Sequence, residues 1–100
     1  MTTINLQFTK ADKYYVAEFK IESPIHLHIE REKVGDIYMS QKCIEEGNYD
    51  YVKDFGFNRG GDKVIDATIM DVICPMWIKI ESVSPVNLAV VISDEDIEVL

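Results

Sequence analysis

Apolar and polar residues alternate along almost the whole chain, in short segments separated by proline, glycine or clustered charge. A period of two places successive side chains on opposite faces of an extended strand, so each segment buries one face and wets the other. The cleanest case is Ile25–Glu30, where Ile25, Leu27 and Ile29 alternate with His26, His28 and Glu30. Tyr14–Ile21 sends Tyr15, Ala17, Phe19 and Ile21 one way and Glu18 and Lys20 the other. Met76–Ser82 sets Met76, Ile78 and Ile80 against Trp77, Lys79 and Glu81. Thr3–Phe8, Ile37–Cys43, Tyr49–Phe55, Lys63–Ile73 and Val86–Ser93 bring the candidates to about eight, at the roughly 8–12-residue spacing of antiparallel sandwiches. Val86–Ser93 is the most apolar, which predicts a central strand covered on both faces.

Between these segments, Lys10-Ala11-Asp12-Lys13 and Glu45-Glu46-Gly47-Asn48 read as turns, Arg31-Glu32-Lys33 with Gly35 as a charged loop, and Gly56–Asp62 as a flexible loop with a Gly60-Gly61 hairpin turn. No stretch carries an uninterrupted apolar stripe at helical spacing. The expected fold is all-β. It is one domain over residues 1–100, an antiparallel two-sheet sandwich with jelly-roll or Greek-key connections.

Apolar residues make up 47% of the chain, enough for a core, and no run is long enough to cross a bilayer as a helix. The N-terminal residues lack the basic start and apolar stretch of a signal peptide, so synthesis without a leader is expected. Eighteen acidic against ten basic residues give a net charge of −8. That field repels phosphate backbones and anionic lipid, so neither nucleic acid nor membrane is an expected partner. Cys43 and Cys74 form no Cys-x-x-Cys pair and lie in apolar patterns, which predicts two buried free thiols. A disulfide would need an oxidising compartment and Cα atoms within about 7 Å.

Three groups of side chains could carry chemistry. His26, His28 and Glu30 share a strand face, a spacing that can present imidazoles and a carboxylate to one metal ion. With Glu32, the His26-x-His28 pair partly resembles the first motif of cupins, which implies His26, His28 and Glu32 as ligands. The flanking glycines and the third histidine of that pattern are missing, so a last ligand would come from elsewhere, such as Asp36 or Asp66. The solvent side of a half-buried strand accounts for the same residues without any metal, and no cofactor is expected. The acidic residues Glu45, Glu46, Asp50, Asp54, Asp62, Asp66, Asp71, Asp94, Glu95 and Asp96 fit no EF-hand spacing and read as a solvated surface.

Aromatic residues form the third group. Tyr14, Tyr38, Tyr49, Tyr51, Phe55, Phe57 and Trp77 are too many for one small core. Exposed together, they would stack on sugar rings or anchor a protein partner, and Trp77 falls on the polar side of its strand. The tail Ile97-Glu98-Val99-Leu100 is suited to adding to a sheet edge, in its own subunit or a neighbour's. Serines have no nucleophile-elbow setting, both histidines share one strand, and no glycine loop leads from strand to helix. An enzyme is not expected.

The segments Tyr15-Val16-Ala17-Glu18-Phe19, Ile25–Arg31, Gly47-Asn48-Tyr49-Asp50-Tyr51-Val52 and Trp77-Ile78-Lys79-Ile80-Glu81-Ser82 give the chain a rhythm across most of its length. In that rhythm it resembles small β-sandwich accessory proteins of tailed-phage particles and prophage regions of gut bacteria. The resemblance implies a structural or binding part that works in many copies, possessing no catalytic motif. The function expected is a non-enzymatic surface-acting module, homo-oligomeric or part of a larger assembly, through Trp77, Tyr49, Tyr51, Ile97, Val99 and Leu100. A carbohydrate-binding module and a cupin-like metal protein are the alternatives.

Overall fold

The computed structural model describes residues 2–43, 46–52, 61–70, 72, 74–93 and 98–99. It contains ten strands: β1 Thr2–Asn5, β2 Thr9–Ala11, β3 Tyr14–Ile21, β4 Ile25–Arg31, β5 Ile37–Lys42, β6 Asp50–Val52, β7 Val64–Ile69, β8 Met76–Ser82, β9 Val86–Ser93 and β10 Glu98–Val99. Among the described residues there is no helix. One sheet runs β1-β9-β4-β7 and the other β10-β3-β8-β5-β6, with β2 paired to β3. Every pairing is antiparallel. The expected two-sheet sandwich is what forms.

Only β2–β3 and β5–β6 are neighbours both in sequence and in a sheet; the other connections pass from one sheet to the other. The pairs β1·β9, β3·β8, β4·β7 and β5·β6 therefore nest, like the two arms of one long hairpin rolled up on itself. Strand limits follow the breakers. Tyr14–Ile21 stops before Ser23-Pro24, Met76 follows Cys74-Pro75, and Ser84-Pro85 separates β8 from β9. Proline has no N–H to give a ladder and biases its predecessor away from helix, so each X-Pro pair marks a strand end. Lys10 and Ala11, expected in a turn over Lys10–Lys13, instead join Thr9 in β2 and pair with Tyr14–Val16 around a tight bend where Asp12 takes a φ of 58°.

The inward faces meet in one core. Phe19, Ile21, Ile37, Met39, Ile78 and Ile80 come from the larger sheet, and Ile25, Leu27, Ile29, Ile65, Ala67, Ile69, Ala89 and Val91 from the smaller. Burying each large aliphatic side chain contributes roughly 1.5–3 kcal/mol, so this layer dominates the stability. It is mostly β-branched, and Phe19 is the one aromatic ring among its fully buried described members.

β9 departs from expectation. It lies between β1 and β4, as predicted, but only Ala89, Val91 and Ser93 are buried. Leu88 stays 41% exposed, and Val90 and Ile92 are half-buried, because no second layer of described residues covers that face. The cysteines also differ. Cys43, exposed just past β5, and Cys74, half-buried just before β8, are joined in a disulfide with Cα atoms 6.0 Å apart. They are not buried free thiols, because β5 and β8 are hydrogen-bonded neighbours that end side by side. The loop Gly56–Asp62 lies outside the described residues but for Gly61 and Asp62, as does Gly60 of the expected hairpin turn.

Candidate functional site

Pairing registers arrange the outer face of the four-stranded sheet as a grid. Glu30 of β4 stands between Val64 of β7 and Leu88 of β9. In the next row His28 lies between Asp66 and Val90, and Asn5 of β1 continues it. In the third, His26 lies between Thr68 and Ile92, followed by Thr3. A titratable half, on β4 and β7, thus adjoins an apolar column on β9.

His28 is the hub of the titratable half. Its Nδ1–H donates to Asp66 Oδ1 at 2.7 Å and its Nε2–H to Glu30 Oε2 at 2.9 Å. Two carboxylate acceptors stabilise the imidazolium, so its pKa is raised, chiefly by the Glu30 bond and then by Asp66. Asp66 is held below its ordinary value, chiefly by its bond to His28. His26 places Nε2 3.4 Å from the same Asp66 oxygen, while its Nδ1 lies 3.3 Å from Thr68 Oγ1.

The expected group of His26, His28 and Glu32 does not assemble as written. Glu32 lies beyond β4, past a register shift at Glu30/Arg31, where its backbone N–H donates to Pro85 O. Asp36 sits on the β4–β5 loop, its carbonyl accepting from Val83 N–H. Asp66, named as an alternative, is the carboxylate that joins the histidines. Among the described residues, no group of three His, Cys, Asp or Glu side chains could hold a metal ion.

The outer face of the six-stranded sheet is built differently. Trp77 does face outward, yet it is only 7% exposed. Its cross-strand neighbours are Lys20 on β3 and Lys42 on β5, and the Lys20 ammonium lies 5.9 Å from its ring centroid. Tyr49, just before β6, is half-buried, with its ring near Lys42 (4.6 Å) and Lys79 (4.9 Å). Its hydroxyl donates to Glu18 Oε2 at 2.7 Å, so it reaches a residue of β3. Burial, and then the neighbouring Glu18 carboxylate, push the Tyr49 phenol pKa up.

Trp77 is therefore a covered residue rather than an exposed stacking platform, and Tyr49 is tied down beside lysines. Alternation finds the face a side chain points to, but not the lysine stems that lie over it. Replacing Tyr49 by phenylalanine removes one charge-assisted bond from a half-buried site. Urea unfolding is expected to show a loss of about 1 kcal/mol.

The remaining expected residues divide in two. Tyr14 and Tyr38 pack edge to face at 6.0 Å. Tyr51 is placed through its backbone, opposite Ser40. Val99 pairs with Phe19, and Glu98 with Lys20, so the tail adds to an edge of its own subunit. Ile97 and Leu100 lie outside the described residues, as do Phe55, Phe57, Glu45, Asp54, Asp71, Asp94, Glu95 and Asp96. A depression of about 430 Å³, lined by Gln41, Lys42, Cys43, Gly47, Asn48 and Asp50, opens to solvent beside the disulfide.

Arg31 is the functional-looking residue whose burial the reading of Arg31-Glu32-Lys33 as a charged loop missed. It is 3% exposed, at the inward position that continues Ile25, Leu27 and Ile29. Its Nη1 donates to Gly35 O at 2.7 Å and Ser82 Oγ at 3.4 Å, and its Nη2 to Asp62 O. Burial lowers the guanidinium pKa while the Asp62 charge opposes that shift. Gly35 is specific to this socket: its φ is +154°, and a Cβ would stand 2.6 Å from Val83 Cγ2. Arg31 works as a structural plug at one end of the sandwich.

No family model, curated protein or solved structure matches the chain.

Proposed function

We propose that this protein is a non-enzymatic sandwich module that works by surface contact, as an accessory part of a larger particle or assembly. It associates with copies of itself through the outer face of its four-stranded sheet. The observation that carries this reading is the apolar column Leu88, Val90 and Ile92 on that face, with Val64 two strands away in the Leu88 row. Val64 and Leu88 are 51% and 41% exposed, on a rigid sheet rather than a loop. Exposed aliphatic side chains on a sheet face, next to the half-buried Val90 and Ile92, suit a protein contact. The opposite outer face has its Trp77 covered and its Tyr49 engaged, which favours protein contact over sugar stacking.

Two further features support an assembly part. The nested strand order supports a jelly-roll reading of the sandwich, a fold that serves capsid, lectin and cupin proteins alike and so leaves function to the surface. The disulfide suits an oxidising setting or a particle exterior rather than a reducing cytosol. The rhythm shared with tailed-phage accessory proteins points the same way.

Native mass by light scattering across a dilution series tests the proposal. A closed oligomer that persists to low micromolar concentration is expected. Replacing Val64 and Leu88 together by glutamate is expected to yield monomer with little change in unfolding midpoint, since both side chains lie on the surface. A wild-type monomer throughout, or an unchanged mass for the double variant, would overturn it.

A further inference from the structure

We infer that β7 is a pairing edge for a second copy of this chain. Two β7 strands join antiparallel about Ala67 and turn two four-stranded sheets into one continuous sheet. The inference rests on the reading that copies associate, and it names a contact at the sheet edge beside the one on the outer face.

β7 is the edge that the fold leaves unguarded. Sheets protect their edges with very short strands, lysine, proline or bulges. The other edge strands are short: β1 has four residues, β2 and β6 three each, and β10 two. β7 has six, with no lysine and no proline, and its pairing with β4 runs without a register shift. Two backbone bonds give its orientation. Arg31 N–H donates to Lys63 O, so the odd-numbered residues of β7 exchange bonds with β4, and Val64, Asp66 and Thr68 turn N–H and C=O away from the sheet. Leu6 N–H, donating to Ala89 O, fixes the same alternation from the β1 side. Among the described residues, no strand takes up that outer row.

The strand is complementary to itself in a register centred on Ala67. Facing residues of an antiparallel pair share a face; Val64, Asp66, Thr68 and Met70 are exposed, while Ile65, Ala67 and Ile69 are buried. A two-fold axis at Asp66 would set two carboxylates directly opposite, which is destabilising. An axis at Ile65 or Thr68 would set Asp66 against Val64 or Met70. An axis at Ala67 sets Asp66 against Thr68 and Val64 against Met70, polar against polar and apolar against apolar. Val64 and Met70, 51% and 64% exposed in the single chain, then cover each other. Ala67 meets its copy in a non-hydrogen-bonded pair, where side chains stand closest, and it is the smallest residue of the strand. The Asp66 carboxylate is already engaged within its own chain, with Oδ1 2.7 Å from His28 Nδ1 and 3.4 Å from His26 Nε2.

Native mass and amide hydrogen exchange of Leu88→Glu, which blocks the outer-face contact, test the edge alone. This variant is expected to form dimers. In them the Asp66 and Thr68 amides should exchange about tenfold more slowly than in diluted monomer, while those of Ile65, Ala67 and Ile69, bonded to β4, stay protected throughout. Adding Thr68→Pro should return monomer, and since that N–H points away from β4 no bond of the fold is lost. Met70→Glu, at an exposed position, probes the same junction without altering the backbone and should weaken the dimer about tenfold. Monomeric Leu88→Glu from a wild type that associates, or Asp66 and Thr68 amides equally fast at every concentration, would overturn the edge contact and leave the face contact standing. Association that survives Leu88→Glu but is lost with Thr68→Pro would support the edge and remove the face contact. A wild-type monomer throughout would overturn both.

Discussion

Replacing Arg31 by alanine is expected to destabilise the fold by about 3 kcal/mol, measured by urea unfolding. The guanidinium is the common donor for three carbonyl or hydroxyl acceptors on different parts of the chain: Gly35 before β5, Asp62 before β7 and Ser82 at the end of β8. Around it, Arg31 N–H donates to Lys63 O, Lys33 N–H to Ser84 Oγ, and Ser82 Oγ–H to Ser84 O. The alanine variant leaves the Gly35 and Asp62 carbonyls without the guanidinium, and the fully buried Ser82 Oγ with the Ser84 N–H alone as donor. Arg31→Lys keeps the charge but not the planar fork, and should recover less than half of the loss. A change under 1 kcal/mol for Arg31→Ala would show that the plug is dispensable.

Removal of the disulfide by the double substitution Cys43→Ser, Cys74→Ser is expected to cost about 3–4 kcal/mol. The link closes a loop spanning 31 positions that contains β6 and β7. These strands sit at edges of different sheets, and the closed loop limits how far they stray in the unfolded chain. The urea midpoint should fall accordingly, and reductant should reproduce the effect on wild-type protein while leaving the variant unchanged. A midpoint that does not move would mean the crosslink adds nothing to stability.

Much of the fold was legible because burial and strand period coincide. β3, β4 and β8 run between the breakers that bracket them in the sequence, and their inward apolar residues are those that alternation assigns. β2 was not legible. Thr9, Lys10 and Ala11 are all exposed, so only pairing to β3 makes them a strand, and a pattern of burial carries no trace of it. Arg31 was readable in principle, since it is the next inward position after Ile29, but its charge favours a loop assignment.

The candidate site was half legible for the same reason. Period two placed His26, His28 and Glu30 on one face, but which carboxylate would meet them depended on the register between β4 and β7. Those strands are separated in sequence by β5 and β6, and nothing local sets their alignment. The disulfide had the same origin, as β5 and β8 become neighbours only once the chain has rolled up. For Trp77, alternation assigned the correct face, and cover by side chains on adjacent strands decided its exposure.

Side-chain methyl NMR spectra recorded across a concentration series test most directly whether the outer face of the four-stranded sheet is the working surface. The account predicts that the methyls of Val64, Leu88, Val90 and Ile92 shift as the protein associates, while those of Ile78 and Ile80 in the core and Val16 on the larger sheet stay fixed. Shifts centred on Val16, or no dependence on concentration, would contradict it.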